Sequence, residues 1–208
     1  DLSELGSEEH QRDGGDEAAN DGGVQRGIER VAGSALLGAA YGMYRISFYH
    51  KPSPEVPAPG EMKSRLAYRD AMDADAAVLD NAPFEEVHLT AQDGTDLFGR
   101  YYHHRDGAPV VLIFHGYTGY AQRDGLGGYT LCRKLGYNVL LPDQRAHGHS
   151  GGHTITMGAK EQYDAQGWAN WAAERFGLDT PLFLMGSIMF FVQMTLQNVN
   201  VALGQAKS

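Results

Sequence analysis

The chain lacks several features that would indicate particular classes of protein. It has a single cysteine, Cys132, which excludes an internal disulfide and is expected to be a buried, inert thiol. Acidic residues outnumber basic ones 26 to 17, and no run of basic residues is longer than a pair. A surface that follows nucleic-acid phosphates is therefore not expected.

What the chain does contain is enough apolar material for one globular domain: 42% of its 208 residues are hydrophobic and 21% are charged. The segments before this domain differ in composition. Residues 1–30 are dominated by carboxylates and glycines at their start and are predicted to be a disordered acidic tail. Residues 51–60, KPSPEVPAPG, carry four prolines and are predicted to be a stiff linker. The globular domain is predicted over residues 61–208.

Between the tail and the linker lies an apolar segment, residues 31–49, for which two interpretations stay open. It contains a run without charge that is shorter than the roughly 20 residues needed to span a bilayer as a helix. It is either a short amphipathic or core-docking helix, or a membrane anchor if Arg45 extends its charged end to the interface. Arginine and lysine lie on both flanks, so the sequence gives no orientation for an anchor.

The domain itself alternates strand and helix patterns. The runs FEEVHLTA and DLFGRYYHH on either side of the turn QDGT predict a β-hairpin. The continuous apolar run PVVLIFHG predicts a strand covered on both faces, and the runs YNVLLPD and PLFLM predict two further strands. Helices are predicted around residues 61–79, 126–135 and 159–176, with an amphipathic helix after residue 187. The expected fold class is α/β, with an N-terminal hairpin followed by parallel strands and flanking helices.

The residues that directly follow the apolar strands are the candidates for chemistry, because the carboxyl ends of parallel strands form the usual site in such sheets. His115, Gly116 and Gly119 lie in the turn HGYTG after the first of these strands. A glycine-rich turn there is either an ordinary tight connection or a set of backbone N–H groups suited to an oxyanion hole.

The second candidate is DQRAHGHS, residues 143–150, which follows the strand YNVLLP. It is interpreted as a buried polar brace around Asp143 and Arg145, or as a metal cluster of His147, His149 and His153. No carboxylate lies between the histidines, and the two glycines at 151 and 152 suggest a flexible loop, so the sequence predicts no metal and no cofactor.

Four segments, PVVLIFHGYTG, GYNVLLPDQRAHGHSGG, KEQYDAQGWANWAAERFG and PLFLMG, resemble in order and spacing the α/β-hydrolase superfamily, in particular its bacterial serine aminopeptidase-like or acyl-hydrolase branch. The resemblance covers about residues 61–187. It implies a backbone N–H of Tyr117 as half of an oxyanion hole. It also implies structural roles for the other motif residues, namely His115, Gly116, Gly119, Asp143, Arg145, His147 and Gly148.

The same resemblance has implications for the setting of the protein. Many members carry an N-terminal anchor and a proline-rich spacer, which favours membrane contact through residues 31–49 and a place in a bacterial cell envelope, with the cytoplasm as the alternative. A complete member would act on a small-molecule or peptide substrate.

At the expected nucleophile the sequence departs from the family pattern Gly-x-Ser-x-Gly. It reads Gly186-Ser187-Ile188-Met189-Phe190, so that Ile188 stands where the serine belongs. The positions two before and two after Ser187 are methionines, although a nucleophile elbow needs small residues there. Ser187 is the one candidate nucleophile, and its alternative role is to cap the last helix.

The acid and the base are also missing. In the family both follow the nucleophile, yet no Asp, Glu or His follows Ser187. The absent start methionine and the motif-free tail QNVNVALGQAKS suggest a fragment, a frameshifted product or a truncated one. The sequence therefore predicts an ester- or amide-cleaving serine hydrolase that is incomplete and inactive as written. The alternative is a non-catalytic, membrane-tethered α/β binding module.

Overall fold

A computed structural model of the chain describes residues 13–55 and 69–186, with side chains from residue 24 onward except at Arg69. Ser187, the helix predicted after it and residues 61–68 of the first predicted domain helix lie outside the described residues. The chain divides into two compact units, Asp1–Ser47 and Phe48–Ser208.

The described part of the first unit is one helix, α1, Asp13–Ser47. It includes much of the segment predicted as a disordered tail, residues 1–30, and nearly all of the apolar segment 31–49. Large apolar side chains of α1 are exposed, among them Leu36 and Leu37, at 72% and 73%.

None of the described helices has a stretch that is both long and apolar enough to cross a bilayer. The interpretation of residues 31–49 as a membrane anchor remains a sequence-based prediction.

The second unit is built on a five-stranded sheet in the order β1-β2-β4-β3-β5. The first two strands form the predicted antiparallel hairpin, β2 pairs with β4 antiparallel, and β3 pairs with both β4 and β5 in parallel. The predicted fold class, a hairpin followed by parallel strands with flanking helices, is confirmed. The elements are α2 Arg69–Asp80, β1 Glu85–Thr90, β2 Asp96–Tyr102, β3 Val110–Phe114, α3 Ala121–Leu135, β4 Asn138–Pro142, α4 Glu161–Phe176 and β5 Leu182–Gly186.

Strands β3 and β4 are buried along their whole length because helices cover both faces of the sheet. Alternate residues of a strand point to opposite faces. Thus Val110, Leu112 and Phe114 pack in one cluster with Trp168 of α4. Val111 and Ile113 pack in a second cluster, together with residues of α2 and α3, which include the buried thiol of Cys132. Burial raises the pKa of that thiol, consistent with the inert role expected of it.

Helix α3 begins at Ala121, whereas the sequence predicts it only from about residue 126. The first half of α3 contains three glycines, Gly125, Gly127 and Gly128, which are poor helix formers. A Cβ on Gly125 would lie 3.0 Å from Leu141, and one on Gly128 would lie 2.9 Å from Ile113. The glycines therefore allow α3 to approach the sheet closely, and this packing outweighs their low propensity.

The second unit begins earlier than the predicted start at residue 61. Tyr49 forms an isolated antiparallel bridge with Thr154, and the N–H of His50 donates to the carbonyl of His153 at 2.9 Å. Residues assigned from sequence to the end of the apolar segment thus belong to the sheet domain. Their partners lie about 100 residues along the chain, which local composition cannot reveal.

Candidate active site

Two connections leave the carboxyl ends of neighbouring parallel strands. The turn Gly116–Gly119, here called the β3 turn, comes after β3 and His115. Residues 143–153, here called the β4 loop, directly follow β4. Because β3 and β4 are parallel neighbours, these connections lie at the same edge of the sheet. The end of β5, where the family places its nucleophile, lies beside β3 at that edge, and Ser187 comes directly after it.

The β3 turn is closed by a hydrogen bond from the N–H of Gly119 to the carbonyl of Gly116, at 3.0 Å. Thr118 has a positive φ of 50°, which non-glycine residues seldom adopt. The carboxylate of Asp124, in the first turn of α3, accepts the N–H of Gly116 at 3.3 Å. Tyr117 is half-buried in this turn. The turn is therefore held in a defined, unusual backbone conformation at the start of a helix.

His115 links the two connections. Its Nδ1 lies 2.9 Å from the carbonyl of Gly116, and its Nε2 accepts the N–H of Gln144 at 3.0 Å. The side-chain amide of Gln144 in turn donates to the carbonyl of His115. The imidazole is only 1% exposed, and burial lowers its pKa. Both ring nitrogens of a neutral imidazole are thus engaged in holding the strand ends together.

Arg145 anchors the β4 loop to two other parts of the domain. Its Nε and Nη2 donate to the two carboxylate oxygens of Asp164 in α4, each at 2.6 Å. Its Nη1 donates to Asp93, in the hairpin turn, at 2.9 Å, and Lys160 reaches the same Asp93 oxygen at 2.8 Å. Hydrogen bonds from Lys160 and Arg145 hold the pKa of Asp93 well below its usual range. This network fixes the loop against α4 and the hairpin.

Asp143 holds the second half of the β4 loop. Its carboxylate accepts the N–H of His149 at 3.0 Å, and Nη1 of Arg100 lies 3.8 Å from the same oxygen. The guanidinium of Arg100 is buried beside the rings of Phe84 and Phe98. A Cβ on Gly148, whose φ is 51°, would lie only 2.2 Å from the Asp143 carboxylate. Glycine is therefore required where the chain passes over this buried acid.

His147 lies in the middle of the same cluster. Its ring stacks on His50 at 4.6 Å between centroids and meets His115 edge to face at 4.7 Å. Its Nδ1 lies 2.9 Å from the carbonyl of Arg145, while Nε2 is buried without a hydrogen-bond partner among the described residues. Burial, followed by the neighbouring His115, lowers the pKa of His147 to about 4.

The alternative metal cluster of His147, His149 and His153 is not assembled. His149 lies half-exposed against Phe98, and His153 stacks on Tyr49, so the three imidazoles have different neighbours. Within the part of the chain that the structure describes, no group of three His, Cys, Asp or Glu side chains is placed to hold a metal ion.

The predicted motif residues are thus brought together, and Asp143 and Arg145 are both buried. Each has its own partners, and sequence reasoning missed these: Arg100 for Asp143, and Asp93 and Asp164 for Arg145. The one available signal was Asp164 itself, an acid in the apolar stretch of α4. Within the loop, Ala146 has a positive φ of 63°, which non-glycine residues seldom adopt.

No protein-family model matches the chain, and no curated protein matches it. Among solved structures, the chain is similar to an esterase of Pyrococcus furiosus at 25% identity, over 67% of this chain and 50% of that one, with a TM-score of 0.49. It is similar to an α/β hydrolase of Novosphingobium aromaticivorans at 25% identity, over 59% and 42% of the two chains, with a TM-score of 0.45. An esterase of Pyrobaculum calidifontis is 18% identical over 62% and 45%, with a TM-score of 0.40.

The chain spans at most half the length of each of these three proteins. Within this chain, the hairpin and the parallel strands occur in the predicted order, and the two motif-bearing connections meet at one edge of the sheet. The chain therefore has a partial α/β-hydrolase fold.

Proposed function

We propose that the chain derives from a serine hydrolase that cleaves ester or amide bonds, and that the chain of 208 residues has no such turnover itself. The first part of the proposal, the origin from a serine hydrolase, rests on the β3 turn. It starts at the carboxyl end of a buried strand, is held by Asp124, and leads into α3 beside the end of β5. This is the place where a superfamily member stabilises the oxyanion of its tetrahedral intermediate, with Tyr117 as the proposed donor.

The second part of the proposal, the lack of turnover, rests on the two buried histidines at this edge, His115 and His147. A serine hydroxyl at neutral pH needs a base to accept its proton. His115 has both ring nitrogens in hydrogen bonds, and His147 is buried with its pKa lowered to about 4. These two imidazoles brace the strand ends, and neither has the exposed, unengaged nitrogen that a general base offers to a substrate-bound serine.

In addition, Ser187 stands one position early relative to the elbow pattern, and the residues two before and two after it are methionines. Loss of a single correctly placed triad member typically lowers kcat by about a millionfold. We therefore expect the protein to hydrolyse p-nitrophenyl acetate no faster than its Ser187→Ala variant does. A fluorophosphonate probe should leave Ser187 unlabelled. Labelling of Ser187, or a rate that the substitution abolishes, would overturn the proposal of inactivity.

The hydrolase origin has a separate test. The DNA after the codon for Gly186 can be translated in all three frames. We expect one frame to give Ser-x-Gly and then an Asp and a His, as the family order requires. If no frame does so, the alternative of a non-catalytic binding module replaces the hydrolase proposal. The membrane tether of that alternative rests on the composition of residues 31–49 alone.

A further inference from the structure

A cavity of about 300 Å³ lies at the opposite edge of the sheet from the β3 turn and the β4 loop. It is lined where β2 ends and β4 begins, at Tyr102 and Val139, and by the last turns of α2 and α3. Since β2 and β4 are antiparallel, these strand ends share the edge at which the parallel strands begin. The cavity is therefore separate from the candidate active site.

The walls of the cavity have two chemical characters. Val78, Pro83 and Val139 give an apolar part, and the rings of Tyr102, Tyr129 and Tyr137 extend it. Tyr102 and Tyr129 pack edge to face with centroids 4.9 Å apart, which fixes the shape of this wall. A volume of this size is at the lower end of known ligand pockets and suits a small, compact apolar group.

The polar side chains of the lining are three tyrosines, the guanidinium of Arg133 and the imidazoles of His103 and His104. The hydroxyls of Tyr102 and Tyr129 have no hydrogen-bond partner in the part of the chain that the structure describes. Neither oxygen is fully buried, so each can reach a bound molecule. Arg133, on the exposed side of the last turn of α3, forms no ion pair with any described residue and also lines the cavity. No Asp or Glu is among the lining residues.

From this arrangement we propose that the cavity binds a small carboxylate with an apolar, ring-sized body. The body packs on the tyrosine rings and the valines, and the carboxylate receives hydrogen bonds from Arg133 and a tyrosine hydroxyl. A guanidinium–carboxylate contact is charge-assisted and directional, so it selects an acid over its neutral isostere. The proposal does not depend on hydrolase activity, and its test measures binding without turnover.

The test measures the binding of the probe 4-fluorophenylacetate to the 208-residue protein by ¹⁹F NMR titration. Two variants are matched: Arg133→Gln and Lys134→Gln each remove one positive charge from the last turn of α3, but Lys134 does not line the cavity. We expect Arg133→Gln to weaken binding about tenfold, as for loss of one charge-assisted hydrogen bond, and Lys134→Gln to change it less than twofold. Equal weakening by both would indicate general attraction to a basic surface and would overturn the proposal.

A second pair of measurements changes the probe instead of the protein. 4-Fluorophenylacetamide has nearly the same shape without the charge, and we expect it to bind the unmodified protein at least tenfold more weakly than the acid. Equal binding of the two would overturn the assignment of a carboxylate.

A third variant tests the location of the site. Ala82→Leu places bulk in the cavity lining and should abolish binding of the acid. Thermal melts of all three variants check that they are folded, and unchanged binding to a folded Ala82→Leu protein would overturn the location.

Discussion

The β3 turn and the β4 loop lie at the same edge of the sheet, yet they are held in different ways. The β4 loop contains two charged side chains that are almost fully buried, Asp143 and Arg145, and each has partners on other elements. The β3 turn depends on Asp124, whose side chain is 27% exposed, in the helix that directly follows. One connection is fixed by long-range buried charge and the other by a local, partly solvated contact.

This difference determines how each connection responds to change. A buried charge that loses its partner has no water to replace it, so the penalty is large. A partly exposed carboxylate exchanges its protein contact for water at little cost. We therefore expect the β4 loop to dominate stability at this edge, while the β3 turn tolerates substitution. The following predictions test that contrast.

The largest effect is expected for Arg145→Met. It removes the guanidinium from Asp164 and Asp93 and leaves the buried Asp164 without its cation. Breaking such a pair by removing one partner lowers the free energy of unfolding by about 3 to 5 kcal/mol. The matched control is Arg123→Met beside the β3 turn, where the arginine is 30% exposed and pairs with Asp124. Its expected cost is below about 1 kcal/mol. Urea denaturation at pH 7 measures both, and similar losses would contradict the contrast.

A second effect concerns backbone conformation. Gly148→Ala would place a methyl group against the Asp143 carboxylate at a φ of 51°. That carboxylate cannot easily move, because His149 and Arg100 hold it, so we expect a loss of about 3 kcal/mol from strain and overpacking together. Gly119→Ala would meet the Asp124 carboxylate, which can rotate toward solvent, and the backbone carbonyl of Gly116 at 2.9 Å, but it would not place alanine at a positive φ. It should cost less than Gly148→Ala in the same urea experiment, and the reverse order would show that the β3 turn is the more rigid of the two.

The arrangement of the strands was predictable, and the partners of the buried charges were not. Strand β3 is a continuous apolar run bounded by a glycine, and such a run gives a strand covered on both faces almost regardless of context. Arg145, in contrast, bonds to residues 19 positions ahead and 52 positions behind. Periodicity carries no information about such distances. The early start of α3 was missed for a related reason. Gly125 and Gly128 are poor helix formers, but they let the helix pack closely on the sheet, and local propensity does not show this packing.

The third prediction concerns pH. The pKa of His147 is lowered to about 4 in the folded protein, against about 6.5 when unfolded. The unfolded chain therefore binds the proton first as pH falls, so the stability is fully present above about pH 6.5 and is lost as pH falls toward 4. Between pH 7 and pH 5 this group alone accounts for a loss of about 2 kcal/mol. The lowered pKa of His115 acts in the same direction.

The measurement is urea denaturation at pH 7, 6 and 5, a range above the titration of most carboxylates. His147→Phe keeps an aromatic ring between His50 and His115 and removes the titrating group. The variant should be less stable than the parent at pH 7, because the hydrogen bond to Arg145 is lost, but its stability should depend less on pH. A variant with the same pH dependence as the parent would show that His147 is not a source of the slope.

The smallest effect is expected at the β3 turn itself, for Asp124→Asn. The amide oxygen of asparagine can still accept the N–H of Gly116, so the substitution mainly removes a negative charge from the first turn of α3 and from beside Arg123. A carboxylate near a helix N-terminus and an exposed ion pair each contribute a few tenths of a kcal/mol, so the loss should stay below about 1 kcal/mol. Because both contributions are screened by ions, the difference between variant and parent should shrink further when urea denaturation is repeated in 0.5 M NaCl. A loss as large as that of Arg145→Met, unchanged by salt, would mean that Asp124 acts as a buried anchor and that the two connections are held alike.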